Sequence, residues 1–342
     1  MRAVRLWLAA ILVSLVLMIA LGGITRLTGS GLSITQWKPI MGAVPPLHTS
    51  EWENAFSLYQ EIPQFKLENS DMTLAQFKWI FFWEFIHRLL GRLIGILVLI
   101  PLVIFTVRKM IPAQLQKKIW LGFVLGGLQG LMGWIMVMSG LSERTSVSHI
   151  RLAMHFSLAL IILAYFTQLF CEVSEQIEPS DQTLVPVTKH EQATTRIFAA
   201  VTGLFCLQIV YGALVAGLKA GKSFNTFPLM MGHLIPPNFW VADYGWMNPI
   251  DNPAAVQWIH RTVAWLLIIG AITLAVQARG ISGKRYRSAL KAFTHAVPLQ
   301  FLIGVGTLMM RVPVSLGALH QFIAAVLVIL VTRAHFYRRL SR

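Results

Sequence analysis

The sequence predicts an all-α membrane protein: eight transmembrane helices, arranged as two four-helix bundles related by a pseudo-twofold axis. Three observations carry that expectation. Of 342 residues, 56% are hydrophobic and only 13% charged, a composition that fits a polytopic membrane protein and not a soluble globule. Eight apolar stretches are long enough to cross a hydrocarbon core of about 30 Å as helices. The two halves of the chain also resemble each other.

The first span, near 4–24, has a basic start at Arg2 and Arg5. No small-residue cleavage site follows, so a retained helix is expected, not a removed signal peptide. The loop 25–77 holds Trp37, Trp52, Phe56, Tyr59, Phe65 and Phe77 among scattered charges, as interfacial helices or lids do. Spans near 78–106, 119–139 and 150–171 complete the first half. The second half has spans near 197–218, 254–277, 292–311 and 316–335. Its long loop, 219–253, is again aromatic (Phe224, Phe227, Phe239, Trp240, Tyr244, Trp246). The expected division is 1–172 as one bundle, 173–195 as a linker and 196–342 as the second bundle. Each half has an even number of spans, so the repeat is expected to be parallel, and four-helix bundles hold cofactors between facing helices.

The repeat is visible in the residues. Gly22-Gly23-Ile24-Thr25-Arg26, followed by Pro45-Pro46, answers Gly212-Ala213-Leu214-Val215-Ala216, followed by Pro236-Pro237. Leu128-Gln129-Gly130-Leu131-Met132-Gly133 answers Leu299-Gln300-Phe301-Leu302-Ile303-Gly304.

A net charge of +15 would suggest nucleic acid in a soluble protein. Its distribution points to a membrane instead, with no nucleic-acid partner. Of the Lys and Arg residues, 17 fall on the side of the N-terminus and 9 on the opposite side, while Arg88, Arg92 and Arg261 lie within spans. The positive-inside rule then places both termini in the cytoplasm. The acidic segment 172–195 (Glu172, Glu175, Glu178, Asp181, Glu191) is the one inner loop that departs from the pattern. Cys171 and Cys206 form no Cys-x-x-Cys pair and read as small buried residues.

Four histidines lie inside spans and form two matching pairs. His87, in Ile86-His87-Arg88, answers His260, in Ile259-His260-Arg261; His155 and His320 follow after 68 and 60 residues. An imidazole in hydrocarbon is costly without a partner. At 1.5 Å per residue, all four lie roughly 8–15 Å below the outer surface. Heme iron held between two imidazoles is the partner that suits such pairs. Zinc wants further ligands at short spacing, and no second histidine or cysteine lies within a helical turn of any of the four. His48, His149, His190, His233, His295 and His335 have no counterpart in the other half and read as peripheral.

Arg88, Arg92 and Arg261 accompany these histidines, and Arg151 precedes His155 by one turn. They suit heme propionates or, as the bland alternative, snorkelling to the surface. The halves differ at one place. Glu84 stands three residues before His87, and Gln257 three before His260. Residues i and i+3 share a helix face, so one ring has an ionisable acid beside it and the other an amide. The acid can stabilise positive charge or move protons, or simply pair with Arg88 one turn on. The first half is therefore expected to do chemistry and the second to hold a resident redox heme.

The motifs Gly23-Ile24-Thr25-Arg26-Leu27-Thr28-Gly29-Ser30-Gly31-Leu32, Pro45-Pro46, Glu84-Phe85-Ile86-His87-Arg88 with Gly91-Arg92, Arg151-Leu152-Ala153-Met154-His155, His260-Arg261 and His320 resemble the heme A synthase family of cytochrome oxidase assembly over nearly the whole chain. The resemblance implies oxidation of the C8 methyl of heme O, through a hydroxymethyl intermediate, to the formyl group of heme A, with oxygen from water. It implies that His260 and His320 ligate a heme b cofactor, that His87 and His155 face substrate heme O, and that Glu84 is the catalytic acid. Heme O synthase, a membrane electron acceptor and a second copy of the chain are the partners to expect. Some family members carry a cysteine pair in the first outer loop; residues 25–77 have none, which excludes thiol exchange there. The rival reading is a quinone-linked di-heme b electron-transfer protein that alters no heme. A duplicated transporter fits less well, because the polar residues cluster at the outer end and not at the midplane.

Overall fold

The structure is a computed structural model that describes residues 1–37, 41–142, 144–179 and 188–340. Asp181 and the middle of the expected linker lie outside the described residues, as do Lys38 and Arg342, which count among the basic residues of the two sides.

Among the described residues, eight helices are long and apolar enough to cross a membrane, as the composition predicts. They are α1 (Arg2–Leu27), α2 (Leu74–Val107), α3 (Ala113–Leu141), α4 (His149–Ile177), α5 (Lys189–Gly217), α6 (Pro253–Gln277), α7 (Lys284–Met309) and α8 (Val314–Leu340). Among the described residues there is no strand.

Polar caps set several of the starts. Thr73 accepts the Gln76 N–H while the Gln76 side chain accepts the Thr73 N–H at 2.8 Å, a reciprocal box that begins α2. Thr188 and Glu191 form the same box on α5. Asn252 caps α6 through the Ala254 N–H at 2.9 Å, with Pro253 at the first helical position. Helices α3, α5 and α7 begin six to eight residues before the apolar stretches do. Their first turns carry Lys117 and Lys118, Lys189 and Arg196, and Lys284 to Lys291. Hydropathy ends where charge begins, but the backbone hydrogen-bond ladder continues into the interface, where long basic side chains reach water.

Helices α1, α2, α3 and α4 pack in sequence, and α4 closes back on α1. Helix α5 packs on α6, α6 on α7 and α7 on α8. The halves meet where α1 packs on α8 and α4 on α5 and α8. The outer helices present apolar stripes to lipid: Leu93, Ile96, Ile100, Val103 and Val107 on α2, and Trp265, Ile269, Ile272 and Val276 on α6. These repeat every three or four residues, as one helix face must.

One continuous core, including Val4, Leu8 and Ile11 of α1, Leu163 of α4, Phe198 of α5 and Phe293 of α7, fills the half of the molecule nearer the termini. A second cluster lies at the other end. The short helices Thr49–Gln60 and Pro63–Glu68 lay Tyr59 and Ile62 on Phe77, Ile80 and Phe81 of α2 and Val137 of α3. The first long loop is thus a packed cap on its bundle. The second is more open, with Trp240 and Trp246 exposed. Asn248 and Asn252 hold it together through the carbonyls of Val241, Gly245 and Asn238.

The acidic departure from the charge pattern has a physical reason. Glu172 pairs with Lys118 of α3 at 2.7 Å, Glu175 with Arg285 of α7 at 2.7 Å, and Glu178 with Arg5 of α1 at 2.8 Å. Glu191 accepts the Ser282 N–H at 2.9 Å. The acids tie four other segments together on the terminal face. Helix α4 continues to Ile177 and α5 starts at Lys189. Of the two cysteines, Cys171 is buried and Cys206 exposed, and both are free thiols.

Candidate functional site

The four span histidines lie in four different helices, α2, α4, α6 and α8, and each ring rests on a glycine of the preceding span. A Cβ on Gly22 of α1 would stand 3.1 Å from His87 Cε1, and one on Gly133 of α3 3.0 Å from His155 Cε1. A Cβ on Gly212 of α5 would stand 3.1 Å from His260 Cε1, and one on Gly304 of α7 2.8 Å from His320 Cε1. Any larger residue would push on the ring, so each glycine is a notch cut for an imidazole. The notches occupy equivalent positions of the sequence repeat, Gly22 with Gly212 and Gly133 with Gly304.

His87 Nδ1, His260 Nδ1 and His320 Nδ1 are buried without a hydrogen-bond partner. Orphaned buried ring nitrogens are expensive, and three at duplicated positions call for a common partner. Among the described residues no group of three or more His, Cys, Asp or Glu could hold a bare metal ion. Two imidazoles per site are too few for zinc but suit a porphyrin, which brings its own equatorial nitrogens. The residues present therefore fit heme.

Glutamines fix the second ring of each pair. Gln129 Nε2 donates to the His155 carbonyl at 3.1 Å, and Gln300 Nε2 to the His320 carbonyl at 3.0 Å. Each lies one turn before its glycine notch, on the same helix face. Gln208 Nε2 approaches His260 Nε2 at 3.3 Å. The corresponding residue of the first half is Met18, whose methyl lies against Gly91.

The arginines hold loops. Arg88 Nη2 donates to the Ile34 carbonyl at 2.8 Å and Nη1 to the Gln36 carbonyl at 3.4 Å. Arg261 Nη2 donates to the Phe224 carbonyl at 2.8 Å and Nη1 to the Thr226 carbonyl at 2.7 Å. These acceptors are equivalent in the repeat, so both arginines strap the segment after the preceding odd-numbered span. Arg151 Nη1 donates to the Ile135 carbonyl at 2.8 Å. Arg92 lies one turn beyond Arg88 on α2 and is partly buried.

Glu84 and Gln257 are 3% and 2% exposed. Glu84 Oε1 pairs with Arg88 at 2.6 Å, while Oε2 accepts the Ser33 hydroxyl at 2.7 Å and the Ile34 N–H at 2.8 Å. Gln257 Nε2 instead donates to the Phe224 carbonyl at 2.8 Å. The ion pair weighed from the sequence is present. It leaves the carboxylate buried, compensated and oriented by donors from two elements.

Sequence reasoning missed the glycine notches, the glutamines, Ser33 and one further histidine contact. His149 Nε2 lies 2.8 Å from Asp251 Oδ1, across the seam between the halves. The repeat alignment already held the first two signals. The pairings of Ser33 and His149 link residues 51 and 102 positions apart and leave no local pattern.

The chain is similar to known proteins over nearly its whole length. The cytochrome oxidase assembly protein family (COX15-CtaA) matches residues 5–332. A heme A synthase of Rhizobium johnstonii is 44% identical over 323 residues, covering 94% of this chain and 85% of that protein. A heme A synthase of Paracoccus denitrificans is 42% identical over 341 residues, covering 98% and 88%. One from Brucella abortus is 41% identical over 326 residues, covering 95% and 88%.

Proposed function

The chain belongs to the cytochrome oxidase assembly protein family, with the heme A synthase activity of its relatives, and from that premise we propose how its two halves divide the reaction. Heme O is the substrate. The first bundle, 1–172, receives it between His87 and His155. The second, 196–342, keeps a resident heme b between His260 and His320, joined to the first through 173–195. Both sites lie toward the periplasmic side of the inner membrane, with both termini cytoplasmic.

The chemistry is oxidation of the C8 methyl of heme O. Water adds its oxygen to the methyl carbon, and two electrons and two protons leave to give the hydroxymethyl compound. A second loss of two electrons and two protons gives the formyl group. The resident heme b, when bound, supplies one-electron transfer onward to a membrane electron acceptor. Glu84 stabilises positive charge developing at the methyl carbon and takes a proton from the attacking water. Arg88 compensates that carboxylate between turnovers and, with Arg92, balances the anionic propionates of the substrate; Arg261 serves the resident heme in the same way. Gln257 offers neither charge nor a proton-accepting carboxylate, so the second half binds and does not transform. The observation that carries this division is that Glu84 stands at the position Gln257 occupies in the second half, three residues before the span histidine.

The test is Glu84→Ala. The purified variant should keep its bound heme and yield no heme A on extraction. Normal heme A production by that variant overturns the role given to Glu84. The rival reading, a di-heme b electron carrier, is not favoured, because the relatives are heme A synthases; it would require only unmodified heme b in the extract.

A further inference from the structure

The acid of the first site depends on a segment outside its own helix. Helix α1 ends at Leu27, and two residues further on Gly29 has a φ of +71°, the left-handed region that glycine adopts freely. The chain then folds back: the Ser30 N–H donates to the Thr25 carbonyl at 2.9 Å and the Ser33 N–H to the Ser30 carbonyl at 3.1 Å. Leu32, 2% exposed, is seated against Gly140 of α3. These contacts fix the turn and deliver the Ser33 hydroxyl to Glu84 Oε2 at 2.7 Å. Ser33 itself is 2% exposed.

The second half supplies the contrast. Ser223 occupies the position equivalent to Ser33 and is exposed, and the Gln257 amide turns to the Phe224 carbonyl. The same residue type thus stands in both loops, but only the one opposite a carboxylate is turned inward.

We propose that Ser33 is a positioning residue for Glu84, its hydroxyl fixing the orientation of the carboxylate that acts on the substrate methyl. This rests on the role given to Glu84 above. A hydrogen bond to an ionised group in a dry site is short and directional. Without it, Oε2 keeps only the Ile34 N–H, and the carboxylate is free to turn toward the Arg88 fork. Preorganisation at the reacting centre is worth large factors in rate, since small misplacements are costly.

The experiment compares Ser33→Ala, Ser223→Ala and Glu84→Ala in the full-length protein. Ser33→Ala should retain its bound heme with an unchanged Soret band, while heme A formation falls about ten- to a hundredfold. The carboxylate stretching bands of Glu84, identified as those missing from Glu84→Ala, should shift in Ser33→Ala. Ser223→Ala should leave both unchanged. Wild-type heme A formation in Ser33→Ala alongside an inactive Glu84→Ala overturns the proposal and leaves the role of Glu84 standing. Loss of bound heme in Ser33→Ala also overturns it, since the hydroxyl would then be holding the fold. An active Glu84→Ala overturns both.

Discussion

His149 of α4 and Asp251, just ahead of α6, meet at 2.8 Å across the seam between the two halves. His149 is 7% exposed, and the end of α5 crosses it at Gly217, where a Cβ would collide with the His149 backbone. Helix α4 also carries His155, and α6 carries His260, so this contact ties together two helices that bear one histidine of each pair. Asp251→Ala leaves the histidine without its acceptor, and the expected loss is about 1–3 kcal/mol. A lowered thermal midpoint in detergent, with normal heme content, is the result to look for; an unchanged midpoint rejects the clasp.

The glycine notches make a sharper prediction. Gly304→Ala places a methyl 2.8 Å from His320 Cε1, and overpacking of that kind typically costs about 1–3 kcal/mol. The ring must move, so heme bound per protein should fall. Gly306→Ala, on the same helix with open space around it, should instead be neutral or stabilise by about 0.5–1 kcal/mol. Equal heme content in the two variants would remove the notch as a determinant of binding.

The cap on the first bundle hangs on Tyr59. Its ring is fully buried, and its hydroxyl donates to Gln64 Oε1 at 3.1 Å and accepts from Asn69 Nδ2 at 2.8 Å. Burial pushes the pKa of that hydroxyl up, so it stays a neutral donor at physiological pH. Tyr59→Phe keeps the ring and should cost about 1–2 kcal/mol. Limited proteolysis within 41–69 should accelerate while the spans remain protected.

The terminal-face ties should respond to acid. The Arg5 guanidinium holds the Glu178 carboxyl below its ordinary value. A lowered carboxylate pKa means stability that is present above the ordinary carboxylate pKa of about 4.3 and is lost as pH falls through the lowered value. Cleavage near Glu178 should therefore rise below about pH 4, and Arg5→Gln should show the raised rate already at neutral pH. Acid-insensitive cleavage would count against the tie.

The sequence by itself determined the number of helices, the membrane environment, the two pairs of histidines and the acid present in only one half. These are one-dimensional signals: span length, a residue costly in hydrocarbon, and a repeat that keeps equivalent positions in register. Helix ends were less legible, because α3, α5 and α7 continue into charged turns where hydropathy falls but the hydrogen-bond ladder does not. Only the tertiary structure decided what surrounds each ring. That Gly22 notches for His87, that Ser33 reaches Glu84 and that Asp251 answers His149 depend on how separate helices approach. Approach distance is set by packing over the whole bundle and not by any residue's neighbours along the chain.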